Sequence, residues 1–547
     1  MKIKHIIYTL LMAMTTFGLT SCYDDKGNYD YVDIDDIKVE FPGNMGTESD
    51  IRFVERQGNT LNITPDVECM DKSHLTYLWE RYTSGVETEV LKKDKDVSLP
   101  LTAGDDANLQ WKVGTYKLRF TVKDTVTQQT CQKLVNVTVK SITPIGVQVL
   151  TTTDGESDIS TIEDNDFIEG LEQPSVTYNY FSQQNDGIKL DGEGRNINYF
   201  HSSDGSALIA LTDHDGCSID MSTFQPNIAY DDLFSEEPEN IKRMVNTAGM
   251  YLVYADNNIY NLDVTYGLVL DDEPAFEPTF GSEEEMEYAP EPSYVSSESG
   301  TMAGGLIYGN IAYNAEKNKF LLYDWYHDQM PGIPFPMQDM SEDSYAPVFN
   351  PSEMNAGDLV GMDYGIYTNY LFSQNQWALF KNETDNGANL TLYRFNDEGY
   401  NDEKATYDKK QVIATDNSNT ELANVNCFQM STLIDGIGFF STPNGVYSLN
   451  ANETSNGLTE LFTPSNGNEQ VTMIRLLKYQ MNDETTRNVN PTFFSRLSKS
   501  LYIATWDGIQ GRIYRIGLTE EGQLDSAVEM NEWDGFGEIK DMCFRLQ

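Results

Sequence analysis

Leu501-Tyr-Ile-Ala-Thr-Trp-Asp-Gly-Ile-Gln-Gly-Arg-Ile-Tyr-Arg-Ile-Gly-Leu518 reads as two apolar strands joined by a tight turn at Asp507-Gly508. An Asp-Gly or Asn-Gly pair between apolar runs is a strong hairpin signal, because such turns need backbone conformations with positive φ. The device recurs through the last four hundred residues, as in Ala207 to Asp220 and Tyr251 to Val264. Seven such turns stand at Asp154-Gly155, Asp215-Gly216, Asn257-Asn258, Asn318-Lys319, Asn386-Gly387, Asn444-Gly445 and Asp507-Gly508. Their spacings are 61, 42, 61, 68, 58 and 63 residues. A four-stranded propeller blade takes roughly 40 to 50 residues, so the period fits seven blades, most of them carrying loop insertions. Ile145-Gly-Val-Gln-Val-Leu150 and Met542-Cys-Phe-Arg-Leu546 lie at opposite ends of the region, placed to complete one blade and close the ring. Residues 142–547 are therefore expected to form a seven-bladed β-propeller-like domain. The blades share no WD, kelch or Asp-box signature, and a large double sandwich is the other arrangement the pattern allows.

Upstream the texture differs. Leu61-Asn-Ile-Thr64, Leu75-Thr-Tyr-Leu-Trp-Glu80, Tyr116-Lys-Leu-Arg-Phe-Thr-Val122 and Leu134-Val-Asn-Val-Thr-Val139 alternate apolar and polar residues between Gly, Asp and Ser clusters. Period-2 runs of this length are the half-buried strands of a sandwich, here spanning 38–141. The whole chain thus reads as all-β. Gly114-Thr-Tyr-Lys-Leu-Arg-Phe-Thr-Val-Lys-Asp124 is similar to the Gly-Thr-Tyr-x-Val-x-Leu-x-Val-x-Asp strand of PKD (polycystic-kidney-disease-type) domains, and Tyr77-Leu-Trp-Glu80 resembles their Tyr-x-Trp-Asp strand. The resemblance implies a PKD/Ig-like sandwich with Trp79 as its buried tryptophan and Tyr116 as a packed strand residue. Arg81-Tyr82-Thr83 stands where Gly-Asp-Gly is usual, which makes the relative a divergent one. Leu118 occupies the place of an antibody-type domain's second cysteine, so no inter-sheet bridge of that kind is expected.

The N-terminus carries Lys2, Lys4 and His5 ahead of an apolar run from Ile6 to Leu19, too short and too interrupted to span a bilayer stably. Leu19-Thr-Ser-Cys22 closes it with a lipoprotein box. Residues 1–21 are read as a lipoprotein signal peptide and Cys22 as the acylated first residue of the mature chain, held by two or three acyl chains at about 0.8 kcal/mol per buried CH2. Residues 22–37 form an acidic tether. Tyr23-Asp24-Asp25-Lys26 resembles the acidic export signals of surface lipoproteins of Gram-negative anaerobes with starch-utilisation-type (Sus-type) uptake systems, and Cys22 to Tyr31 as a whole looks like the start of the PKD-like lipoproteins of such systems. That implies a lipid-anchored protein on the outer face of the outer membrane, partnered by a SusC/SusD-type importer. A solvated tether is the plainer reading of the two acids.

Charge narrows the ligands. Lys plus Arg number 37 and Asp plus Glu 86, a net charge of -49, which excludes nucleic acid and disfavours anionic substrates. Calcium is conceivable at the acidic segment Asp271 to Glu291, whose Pro and Glu content suits an exposed loop, and at Asp164-Asn-Asp166, which lacks an EF-hand's Gly and terminal Glu, so solvated loops are expected at both and no cofactor is assigned. Beyond Cys22 the five cysteines show no zinc or disulfide spacing. Cys69 with Cys131 is the one pair worth considering, and free thiols are favoured. There is no Gly-x-Ser-x-Gly, His-Glu-x-x-His, Walker loop or Gly-x-Gly-x-x-Gly opening a helix, and His214 in Asp213-His-Asp-Gly216 reads as a turn residue. No enzyme activity is therefore assigned.

Asp324-Trp-Tyr-His-Asp-Gln-Met-Pro-Gly-Ile-Pro-Phe-Pro-Met337 is unusually aromatic for a connection between blades. Exposed aromatics usually have a partner. Trp325, Tyr326 and Phe335 are the candidate ligand-binding residues, with Trp377 and Trp506 next; the equal alternative is that Trp325 and Phe335 plug the propeller mouth. Asn350 to Val360 also looks like a recurring segment of the same lipoprotein family. The resulting expectation is a surface lipoprotein that captures oligosaccharide or peptide for an importer. The alternatives are a propeller-fold hydrolase or lyase on the same nutrient, or a structural subunit of the importer complex.

Overall fold

The computed structural model describes residues 36–545 apart from several segments, the longest being 264–275, 279–293, 296–308, 325–333, 337–353, 397–405, 409–419 and 478–497. By its internal contacts the chain divides into two compact units: Met1–Phe53, Asn62–Leu99 and Lys117–Asn136 form one, and Val54–Leu61, Pro100–Tyr116 and Val137–Gln547 the other.

In the first region a five-stranded sheet has the order Ile51–Arg56, Thr130–Lys140, Gly114–Asp124, Leu75–Tyr82, Glu89–Lys92. Two short pairs, Lys38–Glu40 with Asp66–Glu68 and Thr60–Ile63 with Val97–Pro100, accompany it. The alternation along Gly114–Asp124 does what it predicts: Leu118, Phe120 and Val122 are fully buried while Arg119 and Thr121 stay half-exposed on the other face. Trp79 lies opposite Phe120 in the register with ring centroids 4.5 Å apart, and its Nε1 donates to the Lys95 carbonyl at 3.0 Å. Phe41 packs edge-on against both rings. Trp79 is thus the buried core tryptophan. Tyr116 is half-buried, edge-on to Trp111, with its hydroxyl donating back to the Lys112 carbonyl at 2.9 Å.

Among the described residues the second unit contains seven sheets in succession, each built on an antiparallel meander of four strands, to which the first adds the short strand Leu190–Asp191. Their first strands are, in order, Glu538–Arg545, Gly194–Ser202, Arg243–Asn246, Tyr294–Val295, Asp358–Tyr367, Cys427–Met430 and Gln470–Leu476. Six sheets are continuous in sequence. The remaining one takes its first strand from the C-terminus, which pairs with Gly146–Thr153 in a register that sets Val147 against Phe544. All seven turns counted in the sequence fall between the second and third strands of one of these sheets. Asp154 and Gly155 have φ of 54° and 83°, the double positive that the hairpin signal demanded.

Apolar clusters fill the spaces between sheets rather than one common centre. Leu150 and Ile159 of the first sheet meet Ile197, Tyr199 and Leu208 of the second. Similar clusters join the second to the third, the fourth to the fifth, the fifth to the sixth and the sixth to the seventh. The seventh returns to the first, where Tyr502, Ala504 and Ile513 pack with Val147, Val149 and Phe544. The segment Asn350 to Val360 has a structural part here. Met354 and Ala356 are buried among Tyr313, Phe320 and Phe380. Gly357, at φ 91°, sits where a Cβ would come within 2.2 Å of the Lys381 carbonyl.

Candidate functional site

Polar side chains link the first strands of the sheets at one repeated position. Asp541 Oδ2 accepts from the Ile197 amide at 3.0 Å and from Asn196 Nδ2 at 3.2 Å. Asn196 Oδ1 accepts from the Met244 amide at 2.6 Å, Asp363 Oδ2 from the Met430 amide at 2.7 Å, and Gln429 Oε1 from the Leu476 amide at 3.4 Å. Arg475 Nη2 donates to Asp541 Oδ1 at 2.6 Å. A first strand has a partner on one side only, and its other edge presents backbone N–H groups that need acceptors. Asp541, Asn196, Asp363 and Gln429 each accept from a backbone N–H at the open edge of the following sheet, while Arg475 reaches the next sheet through the Asp541 carboxylate. All of them are buried.

A second polar group lies between the first and seventh sheets. Arg515 Nη2 pairs with Asp166 Oδ2 at 2.6 Å, Ser500 Oγ donates to Asp166 at 2.8 Å, and the Tyr502 hydroxyl donates to Asp164 at 3.3 Å. Asp164-Asn-Asp166 was expected to be a solvated loop. Asp164 and Asp166 are instead buried, with only Asn165 between them exposed, because Arg515 and two hydroxyls replace water around the carboxylates.

The turn of the seventh sheet is a rigid exposed feature. Asp507 accepts from the amides of Ile509 and Gln510 and is clamped by Arg512 at 2.9 Å, contacts that hold its carboxyl below the usual range, the Gln510 amide foremost. Arg512 also faces Glu469, a buried carboxylate that receives the hydroxyls of Thr505 and, at 3.0 Å, Tyr514. Ile509 at the tip is 88% exposed and Trp506 beside it half-buried. In the second sheet His214 occupies the turn as expected, with Asp213 at 3.0 Å and Asp191 at 3.4 Å. Partial burial pulls its imidazole down, but the hydrogen bond it donates to Asp191 and the charge of Asp213 outweigh it and raise the pKa. Among the described residues no group of three or more His, Cys, Asp or Glu is arranged to hold a metal ion.

The candidate aromatics are scattered. Cys22, Trp325 and Tyr326 lie outside the described residues. Phe335 belongs to the short strand Pro334–Pro336, paired with Leu322 at the outer edge of the fourth sheet. The aromatic run was expected to be one connection between blades. The strand divides it, since Asp324 to Pro334 joins the third and fourth strands of a single sheet and only the chain after Pro336 leads to the next. Flanking prolines suit an outermost strand, where a missing N–H is tolerated. Trp377 is fully buried under the Arg394 guanidinium, 5.7 Å from its ring, and is a core residue. The acidic segment Asp271 to Glu291 lies almost wholly outside the described residues. Cys69, Cys131, Cys217, Cys427 and Cys543 are all free thiols. Burial pushes the Cys217 thiol up to about 12 and also raises that of Cys543 well above its usual value.

The polar position on the first strands escaped the sequence reading. Its only trace is a polar residue followed by an apolar one, as in Asn196-Ile197, Gln429-Met430, Arg475-Leu476 and Asp541-Met542, at irregular intervals along the chain.

The fold defines an all-β protein whose N-terminal part is built on a five-stranded sheet. Residues 22–193 match the PKD-like family and form a domain of that family. The match runs past that five-stranded sheet through Gly146–Thr153, Glu156–Glu163 and Ser175–Thr177 of the first sheet of the second unit. No curated protein matches the chain.

Proposed function

We propose that this chain is a lipid-anchored protein on the outer face of the outer membrane. In this reading the PKD-like domain is a spacer and a seven-bladed propeller captures oligosaccharide or peptide for a SusC/SusD-type importer. The observation that carries the reading is the lipoprotein box Leu19-Thr-Ser-Cys22 together with a family match that opens on Cys22 itself. The propeller is supported by seven successive sheets built on four-stranded meanders, by the C-terminal strand completing the first of them, and by apolar packing that returns from the last sheet to the first. Such a strand exchange fastens a ring whose ends would otherwise be open sheet edges.

Charge supports the ligand class. Residues 142–547 hold 65 Asp and Glu against 20 Lys and Arg, whereas residues 36–141 hold 16 against 14. An acidic capture domain repels anionic chains and favours neutral sugars or basic peptides. Trp325 and Tyr326 follow the third strand of the fourth sheet directly, at the strand end opposite the Asn318-Lys319 turn, and are the aromatic platform of the proposed site. The test is a tagged chain in its own host. The account expects digestion by protease added to intact cells and co-purification of a SusC/SusD-type pair from mild detergent. A chain protected in intact cells and recovered alone contradicts it.

A further inference from the structure

Asp164, Asn165 and Asp166 follow directly on Glu156–Glu163, the third strand of the first sheet, yet the two aspartates reach across to side chains of the seventh. Facing Asp164 and Asp166 are Ser500 and Tyr502 from the strand Ser500–Trp506 and Arg515 from Gly511–Gly517. Asn531, from Asn531–Phe536, takes the other arm of Arg515 at 2.8 Å. Phe167, Tyr502 and Phe544 close the space around them with aromatic rings. Two buried carboxyls thus face one guanidinium, and Asp166 holds that cation in direct contact. Asp164 is left with a hydroxyl and the Asp166 amide, which donates to its Oδ1 at 2.8 Å. Burial first, and then the negative Asp166, raise its carboxyl to about 6, against the smaller opposing pull of Arg515.

We propose that this loop is a proton-operated latch between the first and last sheets, which closes more tightly when Asp164 takes up a proton in a mildly acid medium. The geometry gives the reason. With Asp164 ionised, the apolar space between the sheets encloses a net negative charge. With Asp164 protonated it encloses a neutral Asp166–Arg515 pair and a carboxylic acid able to donate a hydrogen bond.

A carboxyl raised in the folded state adds stability that is complete below its unfolded value and is lost as pH rises through its folded one. The window here runs from about 4 to about 6. A rise from 3.8 to about 6 corresponds to a change on the order of a hundredfold in the opening equilibrium across that window. The experiment is hydrogen exchange over residues 160–172 and 500–517 in the full chain, comparing wild type with Asp164→Asn at the same pH so that intrinsic exchange rates cancel. Asp164→Asn, neutral at every pH, should exchange on the order of a hundredfold more slowly than wild type at about pH 7.5, with the gap shrinking to a few-fold at about pH 4. A ratio that does not change with pH, or faster exchange in the variant at the higher pH, overturns the proposal. Infrared spectra of wild type alone provide a second decision, independent of whether the variant folds. A protonated carboxyl band from a buried site that titrates near 6 supports the latch, and its absence at about pH 5 overturns it.

Discussion

Replacing Asp541 by alanine removes the most connected side chain of the polar links between sheets. Its carboxylate accepts from Arg475 at 2.6 Å, from the Ile197 amide at 3.0 Å, from Asn196 at 3.2 Å and from its own neighbour, the Met542 amide, at 2.8 Å. Arg475 and Asp541 side chains are only 7% and 5% exposed, so water does not replace what is lost. Breaking a buried pair from one side costs about 3 to 5 kcal/mol, because the remaining charge is stranded. Orphaning the buried Ile197 amide adds about 1 to 3 kcal/mol. Against a typical domain stability of about 5 to 15 kcal/mol, this is a large fraction. The assay is urea unfolding followed by circular dichroism and tryptophan fluorescence, with Lys499→Ala as the comparison. Lys499 pairs with Glu520 at 2.9 Å on the exposed surface, where such a bond contributes about 0 to 1 kcal/mol. Adding Arg475→Met to Asp541→Ala should recover about 2 kcal/mol or more, since the stranded cation goes with it. If Asp541→Ala moves the urea midpoint no further than Lys499→Ala, the links between first strands do not hold the sheets together.

Three further outcomes follow from other parts of the structure. Trp325→Ala, with Tyr326→Ala and Phe335→Ala, should weaken ligand capture about tenfold to a hundredfold while leaving the thermal midpoint within a few degrees; a large drop in that midpoint with unchanged capture, measured by calorimetry and a binding titration, would make Trp325 a plug. In the native protein Cys217 and Cys543, buried and with raised pKa, should resist a thiol reagent, while the denatured chain should release all five of its non-lipid thiols; recovery of a single thiol after denaturation would mean two disulfides. Gly357→Ala should destabilise the fifth sheet by more than about 1 kcal/mol, since the new methyl meets the Lys381 carbonyl at a left-handed position, and an unchanged denaturation curve would remove that reason for the glycine.

The strand architecture was legible because the period-2 alternation and the Asp/Asn-Gly turns are local signals. Asp154-Gly155 and Asp507-Gly508 announce their hairpins within a few residues, and Ile145 to Leu150 and Met542 to Leu546 could be matched because both are bare apolar runs at the ends of a repeat. Trp79 could be placed in a core through the resemblance of Tyr77-Leu-Trp-Glu80 to a PKD-domain strand. What escaped is long-range. Asp166 meets Arg515 across 349 positions of chain, and Asp541 meets Asn196 across 345, so no window of sequence contains either group. The acids around Asp164 looked solvated because the chain as a whole is so acidic. Only the fold supplies the one arginine that lets two of them be buried. The strand Pro334–Pro336 was hidden by its own prolines, which argue for a loop everywhere except at a sheet's outer edge.

The measurement that bears most directly on the account is the mass of the N-terminal peptide of the mature protein, purified from the outer-membrane fraction. Acylation at Cys22 would leave Cys22-Tyr-Asp-Asp-Lys26 as the first tryptic peptide, carrying a diacylglyceryl group on its sulfur and extracting into organic solvent. Cys22→Ala should abolish that peptide and release the chain from the membrane. A mature protein that begins elsewhere, or whose Cys22 bears a free thiol while the chain still fractionates with the outer membrane, would contradict the lipid anchor and the surface-capture role built on it.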